Sequence, residues 1–369
     1  MCSSDLRWPA KLVLIVLALI LVVGGGLWLA RGPLALALME RMMARNMAGN
    51  PLADLPDGLH VALCGAGSPM PDVARGGPCT AVIAGQRLFI VDAGSGASRN
   101  LTLMSLPPGQ VEAILLTHFH SDHMDGLGEL LMQRWATSSA AAPTPVHGPP
   151  GVETVLAGFA QAYSLDRGYR IAHHGPEVTP PTGYGATAHP FAIAEGQTSL
   201  VILDEPDLKI TAFRVDHDPI DPAVGYRFDY KGRSAVLSGD TTPSPVVEAQ
   251  ARGADLLVHE ALSVELVNRQ RAAAEAVGRT NLAQIFGDIT DYHTTPEQAA
   301  QLAERAGVTF LLLNHIVPPL PLRALEGPFL GEARDQFSGP VRIGRDGDLI
   351  SLPAGSDEVR VGRRMNSQR

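Results

Sequence analysis

Five apolar runs in this chain each stop at a histidine or an aspartate, and that recurrence constrains the fold more than any other feature. Residues 113–116 run into Thr117-His118-Phe119-His120-Ser121-Asp122-His123, and residues 208–215 into Asp216-His217. Residues 234–237 lead to Ser238-Gly239-Asp240, 256–258 to His259-Glu260, and 310–313 to Asn314-His315. Short leucine- and β-branched-rich runs of this kind read as buried strands. Helical patterns over 122–134 and 151–163 fall between them, so the pattern is that of an α/β protein. In layered α/β folds the strand ends gather along one edge of a sheet, where sites are built.

The densest of these endings, Thr117 to Gly126, holds three histidines and two aspartates. Imidazole and carboxylate are the nitrogen and oxygen ligands that a borderline cation such as zinc takes. On a helix His118 and His120 would diverge, so the His-x-His-x-Asp-His stretch reads as a strand-end loop opening into the helix expected over 122–134. Strand, ligand loop and helix together make a rigid mount. Asp92 closes a strand expected over 88–91; it either orients a metal ligand or caps a turn, and the residues leave both open.

Composition narrows the partners. A chain of 369 residues has room for a substantial core, built here from aliphatic side chains because Phe, Trp and Tyr supply only 5%. A formal net charge of −9 opposes non-specific attraction to a polyanion, since nucleic-acid affinity rests on Lys and Arg neutralising phosphates. Cys2, Cys64 and Cys79 form no Cys-x-x-Cys pair, so neither a sulfur metal site nor a disulfide framework is indicated, and a Cys64–Cys79 bridge stays open. The glycine stretch 64–69 lacks the Lys-Ser/Thr of a phosphate loop and reads as a structural turn. Residues 173–189 look like an insertion over the site or an exposed loop, with His147, His173, His174 and His189 as ordinary loop histidines.

Residues 12–30 are uninterrupted and uncharged, and at about 1.5 Å per residue they approach the ~30 Å of a hydrocarbon layer. They read as a transmembrane helix, with 1–11 as a short flank and 31–57 as a juxtamembrane helix and linker. Residues 58–353 form the layered domain, and 354–369 a basic, solvated tail. A cleaved signal peptide competes, but its apolar core is usually only about 7–15 residues. Arg7 and Lys11 before the run are answered by Arg31, Arg41 and Arg45 after it, so charge counting does not orient it. A short basic N-terminus before a lone first span commonly stays inside, which favours a single-pass cell-membrane protein with an extracytoplasmic domain.

The set of strand endings resembles the metallo-β-lactamase superfamily over residues 58–353. His118, His120, Asp122 and His123 match its signature motif, and His217, Asp240 and His315 its later ligands. The resemblance implies a four-layer αβ/βα sandwich. It also implies one zinc held by His118, His120 and His217, a second by Asp122, His123 and His315, and Asp240 bridging both. Gly225-Tyr226-Arg227-Phe228, Ser238-Gly239-Asp240-Thr241, His259-Glu260-Ala261 and Tyr292-His293-Thr294-Thr295-Pro296 are similar to the tRNase Z and arylsulfatase group, in which the counterparts of His293 and Glu260 assist proton transfer. Leu262 stands where tRNase Z usually has Thr. β-Lactamases of the main subclass carry a cysteine at the position of Asp240, which disfavours that activity.

What this implies is a hydrolase of phosphate or sulfate esters, arylsulfatase- or phosphodiesterase-like. A hydroxide shared by two Zn²⁺ ions would attack, Asp122 would orient it, and His293 paired with Glu260 would protonate the leaving oxygen. The expected partners are a small ester substrate and a membrane. Nucleic acid is disfavoured because the interval from His217 to Asp240 is too short for the exosite arm by which many tRNase Z enzymes hold tRNA. A homodimer stays open. The alternatives are a ribonuclease Z-type tRNA 3′-processing endonuclease, a lactonase or β-lactamase, and a non-catalytic membrane-tethered metal-binding scaffold.

Overall fold

The computed structural model describes residues 7–365, so Cys2 and Arg369 lie outside the described residues. The helical unit ends at Asn50 and a second unit begins at Pro51. The first contains one helix, Arg7–Ala48, with Pro33 inside it. Its stretch Lys11–Ala44 is long and apolar enough to cross a membrane, and an 18-residue window within it has a mean hydropathy of 2.9. The expected element boundary after residue 30 is absent. One proline costs a helix a hydrogen bond, but the Leu-, Ala- and Met-rich residues on both sides of Pro33 favour continuing it.

The second unit is built from two sheets. The strands of the first are β1 (Gly58–Gly65), β2 (Cys79–Ala84), β3 (Arg87–Val91), β4 (Val111–Leu115), β5 (Thr144–Gly148) and β6 (Ala186–Pro190), together with two late ones. Those of the second are β7 (Ser199–Asp204), β8 (Leu208–Arg214), β9 (Val224–Tyr230), β10 (Arg233–Leu237), β11 (Leu256–Leu262), β12 (Phe310–Val317) and β13 (Val341–Ile343). The chain then returns to the first sheet with β14 (Asp348–Pro353) and β15 (Arg360–Arg363). Among the described residues the strand orders are β15-β14-β1-β2-β3-β4-β5-β6 and β13-β12-β11-β10-β9-β8-β7.

The sheets face each other through one apolar cluster to which both contribute. Val61, Val82, Phe89 and Leu115 come from the first, and Ile210, Tyr226, Phe228, Val258 and Leu312 from the second. Fully burying a side chain of this size is worth about 1.5–3 kcal/mol, so this seam is the main apolar reason the sheets stay together. Helices cover the outer faces. Leu101, Leu127, Leu130 and Val152 pack on the first sheet, while Val247, Ala299, Ala303 and Phe329 pack on the second. The result is the four-layer αβ/βα sandwich that the sequence led us to expect.

Two parallel blocks aim the strand ends. β3 to β6 run parallel in the first sheet, and β10 to β13 in the second. Parallel neighbours need long crossovers, here helices, and therefore deliver all their C-terminal ends to the same edge. β4, β10, β11 and β12 carry four of the five runs singled out above, and β8, antiparallel to β9 and so aligned with β10, carries the fifth.

Three local expectations change. The helix over 122–134 is two helices, Ser121–Met124 and Leu127–Ser138, separated at Asp125-Gly126. Residues 173–189 are not one loop. His173 and His174 end the helix Ser164–His174, and His189 sits on β6 opposite His147 of β5, their rings stacked at 4.8 Å. The tail is structured too: β15 pairs antiparallel with β14, because β14 would otherwise present an unpaired edge. Cys64 and Cys79, left open above, form a disulfide.

Candidate metal centre

The approach of the two sheets at their strand ends brings seven side chains together. His118, His120, His217 and Asp240 form one group, and Asp122, His123 and His315 another, with the donor atoms of each group within 4.8 Å of one another. The first sheet supplies His118, His120, Asp122 and His123 after β4, and the second supplies the rest: His217 after β8, Asp240 after β10, and His315 within β12. Every residue expected to bind metal is therefore present at one place. Asp240 lies between the groups, with Oδ2 3.9 Å from both His118 Nε2 and His217 Nε2 and 3.2 Å from both His123 Nε2 and His315 Nε2.

The donors fit a divalent cation better than they fit one another. His118 Nε2 and His120 Nδ1 face each other at 3.0 Å, and His217 Nε2 stands 3.4 Å from the same His120 nitrogen. Three ring nitrogens converging in this way cannot all be satisfied by mutual hydrogen bonds, because a neutral imidazole has one donor and one acceptor. His123 Nε2 is buried without a hydrogen-bond partner, although Asp240 is close. Convergent nitrogen lone pairs beside two carboxylates make up the mixed set that zinc-like ions take.

Burial opposes charge on each member, and the neighbours decide the outcome. Burial, reinforced by His123, holds His118 well below the ordinary histidine range, and burial also lowers His217 despite the pull of Asp240. His123 goes the other way: burial lowers it, but Asp240, Asp92 and Asp122 together raise it well above that range. Asp122 is held below the usual carboxylate range by His123 and His315 against its own desolvation. His118 and His217 are thus favoured as neutral imidazoles and Asp122 as a carboxylate, the ligand forms a metal requires, whereas His123 would have to release a proton on binding one.

A second circle of bonds sets the ring orientations. Asp92 accepts from Thr117 N–H and Thr117 Oγ1, both at 2.8 Å, and its Oδ2 lies 2.8 Å from His123 Nδ1. Of the two roles open to Asp92, the structure places it in the orienting one. Thr117 Oγ1 is also 3.0 Å from His118 Nδ1. Tyr292 contributes its carbonyl, 3.0 Å from His217 Nδ1. The sequence reading missed both contacts. Thr117 could have been flagged as the polar residue between the strand and the first ligand, whereas a backbone carbonyl leaves no signal in residue identity.

His293 and Glu260 also meet. Glu260 Oε1 is 2.9 Å from His293 Nδ1 and accepts the N–H groups of Thr241 and Thr294 at 3.2 and 3.1 Å. Burial disfavours a charged His293, but the Glu260 carboxylate outweighs it and raises the imidazole above its ordinary range. A ring nitrogen of His293 lies within 4.8 Å of the Asp240 and His315 donors. The helix Pro296–Ala306 begins just beyond, fixed by a Thr295–Gln298 capping box, so the His293 segment leaves from a firm support. His259 turns its Nδ1 to the Glu260 carbonyl at 2.8 Å and stays outside both groups.

Comparison with known proteins agrees with this geometry. Residues 87–316 match the model of the beta-lactamase superfamily domain. The chain is 38% identical over 299 residues to a ribonuclease Z of Mycolicibacterium gilvum, covering 80% of this chain and 97% of that one. It is 36% identical to a ribonuclease Z of Mycobacterium marinum, covering 80% and 99%. Among solved structures, the short form of human tRNase Z superposes with a TM-score of 0.57 at 22% identity, covering 80% of this chain and 99% of that one. A metallo-beta-lactamase fold protein, YhfI of Bacillus subtilis, superposes at 0.58 with 18% identity, covering 80% and 100%.

Proposed function

The chain belongs to the beta-lactamase superfamily, and on that premise we propose that it cleaves phosphodiester bonds in the manner of its relatives named ribonuclease Z. It is a metal-dependent hydrolase acting on ester bonds. The observation that carries the finer reading is Asp240 standing between two groups of ring nitrogens, with the His293–Glu260 pair alongside. In this reading His118, His120 and His217 would hold one Zn²⁺ and Asp122, His123 and His315 a second, with Asp240 close to both groups. Ions bound there would bring the pKa of a water towards about 7 and offset charge growing on the phosphoryl oxygens.

The chain's own groups do the rest. Asp122 Oδ2, 3.3 Å from His315 Nε2, presents an acceptor that orients the attacking water. Glu260 occupies Nδ1 of His293, which leaves Nε2 as the nitrogen that passes a proton to the departing oxygen. RNA is the substrate that the relatives' names put first. The apolar helix would hold the domain at a membrane as a single-pass anchor, on the extracytoplasmic side.

A second reading, hydrolysis of a small phosphate or sulfate ester, is favoured by the rim of the site. Asp125, Asp216, Asp218, Asp221, Asp288 and Asp291 are exposed on the segments that carry these side chains. Arg214, a cation that leads into the His217 segment, is bonded to the carbonyls of Ile193 and Gln197. β9 and β10 are joined by Lys231-Gly232 alone, so no arm for gripping RNA extends between them.

The test is a panel on the purified, zinc-supplied full chain: bis(p-nitrophenyl) phosphate, p-nitrophenyl sulfate and a precursor tRNA with a 3′ trailer. Cleavage of the phosphate diester, lost together with bound metal in Asp240→Ala, is the expected result. Failure on every phosphodiester by the metal-replete chain would overturn the proposal. Faster turnover of the sulfate than of either diester would transfer it to the second reading.

A further inference from the structure

The loop that joins β1 to β2, residues 66–78, is closed at its base by the Cys64–Cys79 disulfide, with both cysteines fully buried and their Cα atoms 5.0 Å apart. From there it packs beneath one half of the centre. Gly77 N–H donates to Ser95 O at 3.0 Å and Gly94 N–H to Pro78 O at 2.9 Å, clasping the loop to the turn after β3. That turn carries the metal-loop backbone: Ala93 N–H donates to His123 O, and Gly126 N–H to Ala93 O, both at 2.8 Å. The fit allows no side chain. A Cβ on Gly94 would collide with the Asp122 carbonyl oxygen, and one on Gly77 would stand 3.1 Å from it.

The other side of the loop supports His315. Ala66 O accepts the N–H of Ile316 at 3.0 Å, next to a His315 whose φ of +44° is left-handed and strained for a residue with a side chain. Asp346 secures both ends of this brace. It accepts Ala66 N–H at 3.0 Å, Gly76 N–H at 2.8 Å and Asn100 Nδ2 at 2.7 Å. Cys79 itself lines a small cavity shared with His123, Asp240 and His315. Of the first set, His217 is held away from this loop by the Tyr292 carbonyl, and His118 by Thr117, whose Oγ1 also lies 3.4 Å from His123 Nδ1.

We propose that the Cys64–Cys79 bridge and Asp346 are positioning residues for Asp122, His123 and His315, so that cation retention by this set alone depends on the oxidation state of the two sulfurs. The inference rests on the ligand reading above. Opening the bridge breaks one S–S bond and forms two S–H groups, with two electrons and two protons supplied by a dithiol that leaves as its own disulfide. The loop then keeps the β1–β2 pairing and its hydrogen bonds but loses its covalent closure, and the supports of Asp122 and His315 loosen together. A chain kept reduced would hold metal at His118, His120 and His217 and only weakly at the second set.

The experiment measures zinc content and chelator competition on three full-length proteins: the oxidised wild type, Cys64→Ala/Cys79→Ala, and Asp346→Ala, whose bridge is confirmed intact by mass. The wild type is expected to hold two ions. Each variant is expected to keep one at wild-type affinity and to bind the other about 10–100-fold more weakly, the range seen when the supports of metal ligands are removed. If the double variant does not fold, wild type reduced with a phosphine, which becomes its oxide and adds no competing thiol, with free thiols counted by alkylation of a separate portion, gives the same reading without a substitution. Two ions at unchanged affinity after loss of the bridge overturn the inference, as does equal weakening of both. A wild type holding fewer than two overturns the ligand reading, and this inference with it.

Discussion

Asp92 Oδ2 lies 2.8 Å from His123 Nδ1, and the contact turns the opposite ring nitrogen of His123 towards Asp240. Asp92 does this from a backbone φ of +58°, a conformation that costs on the order of 1 kcal/mol or more in a residue other than glycine. The cost is offset by its bonds to Thr117.

Asp92→Asn keeps the shape and tolerates the left-handed backbone, but it removes the charge that fixes the His123 ring. Metal affinity is expected to fall roughly 10–100-fold, read by chelator competition, with little change in secondary structure. An affinity equal to wild type would show that packing alone orients His123.

His293→Ala should leave metal content intact and separate substrates by leaving group. Loss of a general acid typically costs about 10²–10⁴-fold, and it bears most on alkoxides, which need the proton, and least on nitrophenolates, which do not. Glu260→Gln should follow the same ordering more weakly, because Glu260 acts through His293. Equal losses on both ester types would remove the acid role.

His60 gives a pH signature remote from the site. It is fully buried on β1, its Nε2 donates to Pro56 O at 2.9 Å, and burial lowers its pKa below the ordinary value. As pH falls through about 6.5 the unfolded chain takes up this proton before the folded one, so stability is fully present above that point and declines below it. Urea midpoints near pH 7.5 and near pH 5.5 should therefore differ more for wild type than for His60→Gln. An identical pH response in both proteins would assign the acid sensitivity to other groups.

The elements legible in the sequence were those with a strong local signal. The apolar strands ending in His or Asp were readable because strand length, burial and ligand type coincide within a few residues. β4, β10, β11 and β12 appear where those runs lie. The Asp240-centred grouping came from the resemblance, since nothing local at residue 240 says which histidines it will meet. Segments whose structure is set by distant partners were read less well. β15 forms because β14 offers an edge, and β6 forms because β5 does. The Cys64–Cys79 bridge depends on β1 and β2 being neighbours in register, a tertiary fact that a separation of fifteen residues does not reveal.

The centre draws Asp122 and three histidines from the first sheet and His217, Asp240 and His315 from the second. Cations held there would add a joint between two halves that otherwise meet through an apolar seam and a few hydrogen bonds, such as Val224 N–H to Thr117 O and Ile316 N–H to Ala66 O. Loading should then raise the force needed to part the sheets far more than it stiffens either sheet alone, so that the metal-free protein opens like a book along its spine.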